Sequence, residues 1–283
     1  MARATFDELL EAGVHFGHLK RKWNPYMAPY IFSEKRGIHI IDLNKTVAQL
    51  DQACAALKQI AKSGKKILFV ATKKQAKDIV ETRIRPTRMP FVVERWSGGM
   101  LTNFGTVRKA IRKMTSIDKM GEDGTLKTLS KRERLQLSRT RAKLEKNYGT
   151  IADMTRMPAA VFVVDVLKET IAVREANKLN IPTFAMVDTN SDPRNIDFVI
   201  PANDDATKSI AIIMDKVVAA INEGLEERKA TKEKTKAVKE KEVKAEDSKT
   251  EEVEAPKAKA EKVEIPKAEK VEVPTEEKSE ETK

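Results

Sequence analysis

Residues 160–188 read AVFVVDVLKETIAVREANKLNIPTFAMVD, and the pattern of this stretch decides the fold. Two apolar runs, at 160–165 and 183–188, enclose an amphipathic window at about 168–179, so the stretch predicts a strand, a helix and a second strand. Both runs are apolar at almost every position, whereas a strand with one face in water alternates. Such continuous runs are typical of a parallel sheet that helices cover on both faces.

The same alternation of short apolar runs and longer amphipathic windows continues on either side. Further strands are predicted at residues 38–42, 67–71, 91–94 and 198–200, and a last helix at 206–223. The helix before Gly64, a favoured C-terminal capping position, has an apolar face made of Val47, Leu50, Cys54, Leu57 and Ala61. A capping box of Thr72 and Gln75 should open the next helix. The predicted fold class is α/β, a flavodoxin-like three-layer parallel sheet.

Residues 101–150 interrupt this rhythm, because two long polar helical windows follow each other without a strand between them. The first window places a narrow apolar stripe on one face, formed by Phe104, Val107, Ile111, Met114 and Ile117. The second begins at a capping box of Ser130 and Glu133 and ends near Gly149. The pattern predicts an inserted antiparallel helical hairpin, a two-helix coiled coil that projects from the α/β body.

The charge of the chain is unevenly distributed. Its 283 residues contain 54 Lys and Arg against 43 Asp and Glu. Residues 226–283, rich in Lys, Glu and Pro and without an aromatic residue, hold 16 basic and 18 acidic groups and are predicted to be a disordered tail. Residues 101–150 hold 13 basic and 5 acidic groups. The predicted organisation is therefore an α/β body at 1–100 and 151–225, a basic hairpin at 101–150 and a tail at 226–283.

A folded part this basic favours a phosphate-bearing partner, with nucleic acid first and an anionic membrane surface as the alternative. Cations recur at helical spacing on the hairpin, and the loop at residues 18–30 places aromatic rings beside cations, a combination that suits stacking on bases and binding of phosphates. The candidate RNA-binding residues are Lys20, Arg21, Lys22, Trp23, Arg95, Arg108, Lys109, Arg112, Lys113, Arg139, Arg141 and Lys143. Two simpler readings stay open: the hairpin cations form an ordinary solvated face, and Trp23 anchors a long loop to the body.

The sequence argues against an enzyme, although doubly wound sheets commonly bind nucleotides beyond the carboxyl ends of their strands. No strand is followed by a glycine-rich phosphate-binding motif, and the sequence ATKKQ at 71–75 has no glycine. Gly98 and Gly99 more simply allow a tight turn. No catalytic residues and no cofactor are predicted. With one cysteine and no apolar run of membrane-spanning length, the chain is expected to be soluble and cytoplasmic.

A metal ion is the remaining chemical possibility. His15 and His18 could combine with carboxylates, for which the candidates are Asp188, Asp192, Asp204 and Asp205. The spacing fits no strong ligand motif, and an aspartate beside a turn usually caps backbone amides. No metal site is predicted, and His39, inside an apolar strand, is expected to have a core role.

Several motifs together resemble one known family in order and spacing. They are LLEAGVHFGHLKRKWNPYMAPYIF, ILFVATKKQA, RWSGGMLTN, AAVFVVD and IPTFAMVDTNSDP. In combination they are similar to the bacterial ribosomal protein S2 family, over about residues 5–224. The segment from residue 226 onward has no counterpart in the family pattern.

The resemblance implies a flavodoxin-like α/β domain with an inserted helical hairpin, a structural protein of the small ribosomal subunit without enzymatic activity. The expected partners are small-subunit ribosomal RNA, neighbouring small-subunit proteins and, in many bacteria, the large mRNA-binding ribosomal protein S1. The expected location is the cytoplasm, within the small subunit.

Overall fold

The structure, a computed structural model, describes the backbone of residues 3–251 and the side chains of residues 3–231. Its strands are β1 (Phe16–Leu19), β2 (Ile31–Lys35), β3 (Ile38–Ile41), β4 (Ile67–Val70), β5 (Phe91–Val92), β6 (Ala160–Val164), β7 (Thr183–Val187) and β8 (Phe198–Pro201). Its helices are α1 (Phe6–Glu11), α2 (Leu43–Lys62), α3 (Lys74–Ile84), α4 (Phe104–Glu122), α5 (Thr125–Thr128), α6 (Lys131–Tyr148), α7 (Thr170–Lys178) and α8 (Thr207–Glu251).

Strands β4 to β8 form one parallel sheet in the order β5-β4-β6-β7-β8. Counted along the chain this is the order 2-1-3-4-5, which is that of flavodoxin-like doubly wound sheets. Strands β4, β6 and β7 are buried at every position, because successive side chains point to opposite faces and both faces are covered. The predicted α/β fold with a parallel sheet is confirmed.

Two hydrophobic cores lie on the two faces of this sheet. On one face, Phe69 and Phe162 pack with ring centroids 5.4 Å apart, against side chains of α2, α3 and α8. On the other face, Leu68 and Val163 pack against α7 and the beginning of α4. Burying one such large side chain stabilises the fold by roughly 1.5–3 kcal/mol. Because packing occupies both faces, polar and charged side chains concentrate at the edges of the sheet and on the elements inserted between strands.

The predicted strand at residues 38–42 forms, but it does not join the parallel sheet as expected. As β3 it pairs antiparallel with β1 and β2 in a separate three-stranded sheet. Arg36 and Gly37, with φ of 55° and 75°, form the two-residue turn between β2 and β3. Asn and Gly are favoured in such a turn, so an arginine in its first position conceals the hairpin in the sequence.

Helix ends follow the predicted signals at two of three positions. Ser130 and Glu133 form the predicted capping box of α6, and Gly64, with φ of 77°, follows the end of α2. The predicted capping box of Thr72 and Gln75 is wrong. Helix α3 begins one residue later, without a side-chain cap, because the amide and the hydroxyl of Thr72 donate hydrogen bonds to a buried carboxylate on another loop.

Helix α8 runs into the segment for which the sequence predicts a disordered tail. Glu227 of this segment pairs with Lys58 of α2 at 2.7 Å, so its side chain contacts the body. The backbone remains helical to Glu251, as the abundance of Lys, Glu and Ala favours. Residues 252–283 lie outside the described residues. Over the part of the chain that the structure describes, every helix is too short or too polar to cross a membrane.

Helices α2 and α8 approach each other closely at Gly224. A Cβ atom there would lie 2.5 Å from the Lys58 carbonyl oxygen and 3.0 Å from the Ala61 Cβ, both on α2. We therefore expect Gly224→Ala to push the two helices apart and to lower the free energy of unfolding by about 1–3 kcal/mol. Urea unfolding followed by circular dichroism measures this effect.

Gly105→Ala serves as the matched control, since Gly105 lies in α4 and a Cβ atom added there would meet open space. This substitution should leave stability unchanged or raise it by about 0.5 kcal/mol, because alanine favours helix. Equal stabilities of the two variants would contradict the close packing of α2 on α8.

Candidate nucleic-acid interface

The loop between β5 and α4 is held by one carboxylate, that of Glu175 on α7. One oxygen, Oε1, accepts hydrogen bonds from the Gly99 amide at 2.7 Å and the Trp96 indole at 3.2 Å. The other oxygen accepts from the amides of Leu101 and Thr102 at 2.9 and 3.1 Å, and from the Thr102 hydroxyl. Gly99 has a φ of 85°, so here glycine does allow the predicted turn. Glu175 thereby sets the position at which α4 leaves the body.

The same contacts keep the Glu175 carboxylate charged. Burial alone would raise its pKa, but the hydrogen bonds from the amides of Thr102, Gly99 and Leu101 and from the Trp96 indole outweigh burial, and the pKa lies below its usual value. A buried carboxylate that accepts several N–H donors is stabilised in its charged form. The loop therefore depends on ionised Glu175.

Helices α4 and α6 contact each other along the apolar side of α4. The buried side chains on α4 are Val107, Ile111, Met114 and Ile117, as the stripe predicts, whereas α6 has no buried side chain. Arg141 of α6 donates to Asp118 of α4 at 2.6 Å and to Glu145 on its own helix at 2.5 Å. Arg141, a predicted RNA-binding residue, thus links the two helices in this structure.

Most of the other cations predicted on these helices are exposed and have no carboxylate partner among the described side chains. They are Lys109, Arg112, Lys113, Arg139 and Lys143. Arg108 is half-buried and donates to the Thr155 carbonyl at 3.2 Å, near the base of the helix pair. Exposed cations without a partner keep their full charge available to a polyanion.

The N-terminal basic loop is attached to the carboxyl edge of the sheet. The Asn24 amide donates to the Thr189 carbonyl, just beyond β7, at 2.7 Å. Trp23 is half-buried, with its ring 5.1 Å from that of His39, so the indole does anchor the loop to the small antiparallel sheet. His39 is buried as expected, but neither ring nitrogen has a hydrogen-bond partner.

The cations of this loop differ in their surroundings. Lys20 pairs with Glu34 of β2 at 2.7 Å, whereas Arg21 and Lys22 are exposed. Arg95 is also exposed, in the loop after β5. Since β5 and β7 have two strands between them, the loop and the base of α4 lie on the order of 14 Å apart. The point where the loop is attached, beside β7, and the base of α4, beside β5, are therefore separated along the sheet.

A network of buried ion pairs lies at the carboxyl edge of the parallel sheet. Lys73, three residues after the end of β4, places its Nζ 2.8 Å from the buried Asp204, 3.4 Å from the buried Asp165 and 2.5 Å from the exposed Asp205. Burial opposes the charge of Lys73, but its carboxylate partners outweigh burial and raise its pKa. Burial, together with the charges of Asp188 and Asp165, raises the pKa of Asp204 despite its contact with Lys73.

His18 joins this network and creates a set of possible metal ligands. Its Nδ1 lies 2.7 Å from Asp188 and its Nε2 lies 3.3 Å from Asp205. The hydrogen bond with Asp188 raises the pKa of His18 against the effect of burial. Ligand atoms of His18, Asp188 and Asp204 all lie within 4.8 Å of one another, a set that suits zinc. His15 and Asp192, which the sequence also suggests, lie outside this set.

These side chains fill the place where a doubly wound enzyme binds its nucleotide. The crevice of such a sheet lies where the strand order reverses, here between β4 and β6. The Thr72 amide, after β4, donates to Glu169 at 2.8 Å, and Lys73 bridges to Asp165 directly after β6. Burial raises the pKa of Glu169, against the hydrogen bonds from Thr72. The crevice presents carboxylates, which repel phosphate.

Sequence reasoning missed the partner of Lys73 and the role of Glu175. Asp204 lies 131 residues after Lys73, and the donors to Glu175 lie 73 to 79 residues before it; the spacing of residues along the chain carries no signal for such contacts. Only the topology reveals them, because parallel strands bring their carboxyl ends to one edge.

These features define a basic structural α/β protein, suited to a polyanionic partner and not to a nucleotide substrate. The family described as ribosomal protein S2 matches residues 9–224. The chain is 71% identical over 232 residues to the small ribosomal subunit protein uS2 of Phocaeicola vulgatus. The aligned residues cover 82% of this chain and 83% of that protein. Identity is 70% to the protein of the same name from Bacteroides fragilis (82% and 84% covered) and 67% to that from Porphyromonas gingivalis (82% and 83% covered).

The chain belongs to the ribosomal protein S2 family. It is a structural ribosomal protein and not an enzyme.

The contacts of Glu175 generate a testable prediction. In Glu175→Gln, one amide nitrogen must face N–H donors, so we expect the free energy of unfolding at pH 7 to fall by about 2–3 kcal/mol. The pKa of Glu175 is lower in the folded state, so its stabilisation is present above the unfolded pKa of about 4.3 and is lost as pH falls through the folded pKa. The difference between the two proteins should therefore shrink below about pH 4.

Urea unfolding at a series of pH values, followed by Trp fluorescence, measures this difference. Glu122→Gln, at an exposed end of α4, is the control and should match the wild type throughout. A pH-independent loss of stability in Glu175→Gln would show that its charge is not what matters.

Proposed function

We propose that this chain is a structural constituent of the small ribosomal subunit that binds ribosomal RNA and neighbouring ribosomal proteins and supports translation without making or breaking a bond. The observation that carries the proposal is the separation of its charges. The buried cation Lys73 is neutralised by carboxylates, whereas most cations predicted on α4 and α6, such as Arg112 and Arg139, are exposed and have no carboxylate partner among the described side chains. When exposed unpaired cations bind RNA phosphates, the counterions condensed on the RNA are released. This release favours association of the protein with RNA.

Helices α4 and α6 are, in this proposal, an antiparallel coiled coil inserted into the body at residues 101–150. The apolar side of α4 and the ion pair between Arg141 and Asp118 support it. A shallow cavity of about 460 Å³ on α6 is lined by Arg139 and Lys143, together with the exposed Leu135. This combination suits an RNA backbone, with phosphates on the cations and the leucine beneath a sugar.

The N-terminal loop provides a second RNA contact in this proposal. Arg21 and Lys22 are exposed, and the contact between Trp23 and His39 holds the loop in place. The loop is attached beyond the carboxyl end of β7, whereas α4 follows β5, the outermost strand on one side of the sheet. Two rigidly linked contacts would hold separate RNA segments at a defined distance, which is the work of an architectural protein.

Neighbouring proteins, among which the family resemblance suggests ribosomal protein S1, need an apolar surface. The small antiparallel sheet offers one, since 75% of Phe32 and 49% of Phe16 are exposed. Exposed large apolar groups of this kind favour a protein interface. We propose that protein partners bind this sheet and that RNA binds the basic elements.

The proposal predicts that removing three free cations from the helix pair weakens assembly. Arg112, Arg139 and Lys143, each replaced by Gln, should lower affinity for small subunits about tenfold or more and reduce the slope of log affinity against log salt by about 2 to 3. Small subunits of Bacteroides fragilis, salt-washed to remove their own copy, provide the binding partner. Co-sedimentation between about 50 and 200 mM KCl gives both quantities.

Two controls separate charge from folding. Arg174, Lys178 and Lys208, exposed cations on α7 and α8, are replaced by Gln and should leave affinity and slope unchanged. Arg141→Ala should lower the melting temperature and change the salt slope less, because Arg141 is paired. If the helix-pair variant and the α7–α8 variant assembled equally well, RNA binding by α4 and α6 would be refuted.

A further inference from the structure

Two adjoining cavities of about 630 and 530 Å³ lie where strand β4 begins. Both are lined by Lys66, directly before β4, and by Arg88, in the loop before β5. The first extends to the base of α6 and the second to α8, where Arg228 and Lys229 line it. We call the surface formed by these four cations the amino-edge groove. It lies at the opposite end of the strands from the network of Lys73.

The amino-edge groove carries an excess of positive charge. Among the described side chains, none of its four cations forms an ion pair with a carboxylate. Glu226 is the acidic residue that lines the second cavity. In the first cavity, Glu145 is already paired with Arg141, and Asp153 adds one negative charge. The local excess is therefore not cancelled by the protein itself.

Two of the four cations of the groove, Lys66 and Arg228, are already held in place by contacts within the protein. The Lys66 Nζ donates to the Arg88 carbonyl at 2.6 Å. The Arg228 guanidinium lies directly on Gly64, since a Cβ atom there would collide with the Arg228 Cζ. Arg88 itself has a φ of 55°, a left-handed conformation that favours Gly or Asn. Side chains that are already ordered lose less entropy on binding a ligand.

We propose that the amino-edge groove binds the phosphate backbone of an RNA segment other than those bound by α4, α6 and the N-terminal loop. The identity of the polyanion as ribosomal RNA rests on the proposed function. Arginine binds phosphate through two parallel hydrogen bonds, and lysine acts as a mobile point charge. A groove lined by two residues of each type fits a backbone that runs along it.

An acidic protein is the less favoured partner. Protein interfaces have an apolar core, whereas the large apolar side chains exposed in the described residues lie elsewhere, for example Phe16 and Phe32 on the small sheet. Apolar side chains do line the cavities, Met89, Phe91 and Met154 the first and Leu225 the second, but Met89, Phe91 and Met154 are each no more than 5% exposed. The apolar area exposed in the groove is therefore small against the roughly 800 Å² per partner that a stable protein interface buries.

The test compares three triple variants that each remove three exposed charges. The groove variant replaces Lys66, Arg88 and Lys229 by Gln; Arg228 is kept because it packs on Gly64. The helix-pair variant and the α7–α8 control are those described above. Binding to in vitro transcribed small-subunit ribosomal RNA of Bacteroides fragilis is measured between about 50 and 200 mM KCl, with hydroxyl-radical footprinting of the RNA. Thermal unfolding confirms that each variant folds.

The proposal expects the groove variant to bind about tenfold or more weakly, with a salt slope smaller by about 2 to 3, and to lose protection of an RNA segment that the helix-pair variant still protects. If the groove variant bound RNA and protected it as the wild type does, while the helix-pair variant bound more weakly, RNA binding by the groove would be refuted. The proposed function would still stand. Normal binding to free RNA but loss from intact subunits would also refute RNA binding by the groove and indicate a protein partner. If neither variant changed RNA binding, both proposals would fail.

Discussion

Burial of the parallel sheet on both faces is the constraint on which the rest of this structure depends. Strands β4, β6 and β7 have no exposed position, so the sheet offers partners only its ends. At the carboxyl end, Lys73 is surrounded by three aspartates and the crevice is closed by the protein's own charges. The amino end of the sheet and the elements inserted between strands are then the surfaces left for a large partner, and unpaired cations lie on both.

Neighbouring cations on one helix have different roles because their partners differ. Arg139 is exposed and has no carboxylate partner among the side chains that the structure describes, whereas Arg141, two residues later, binds Asp118 and holds α6 to α4. An unpaired surface cation adds little to stability and is free for a polyanion, while a paired one is partly neutralised. Net charge therefore identifies the basic region, but only the pairing identifies the cations that keep their charge available to a polyanion.

Local patterns in the sequence were sufficient for much of the fold. Continuous apolar runs predicted the buried strands, and Ser130 with Glu133 predicted the start of α6, because both signals act over a few residues. Long-range contacts were beyond reach: Thr72 has the sequence of a cap but binds Glu169, 97 residues away. The candidate site was predicted as a set of cations, but which of them are paired, as Arg141 is with Asp118 and Lys20 with Glu34, follows from contacts that no local signal contains.

The hydrogen bonds that Glu175 accepts also determine the order in which parts of the fold can form during synthesis. The loop that starts α4 contains the donors Trp96 to Thr102, and their shared acceptor lies 73 to 79 residues later in the chain. During synthesis from the N-terminus, both long helices of the insertion are made before that acceptor exists. They can form their own contacts early, but their direction relative to the sheet is settled only when α7 has been made and has packed.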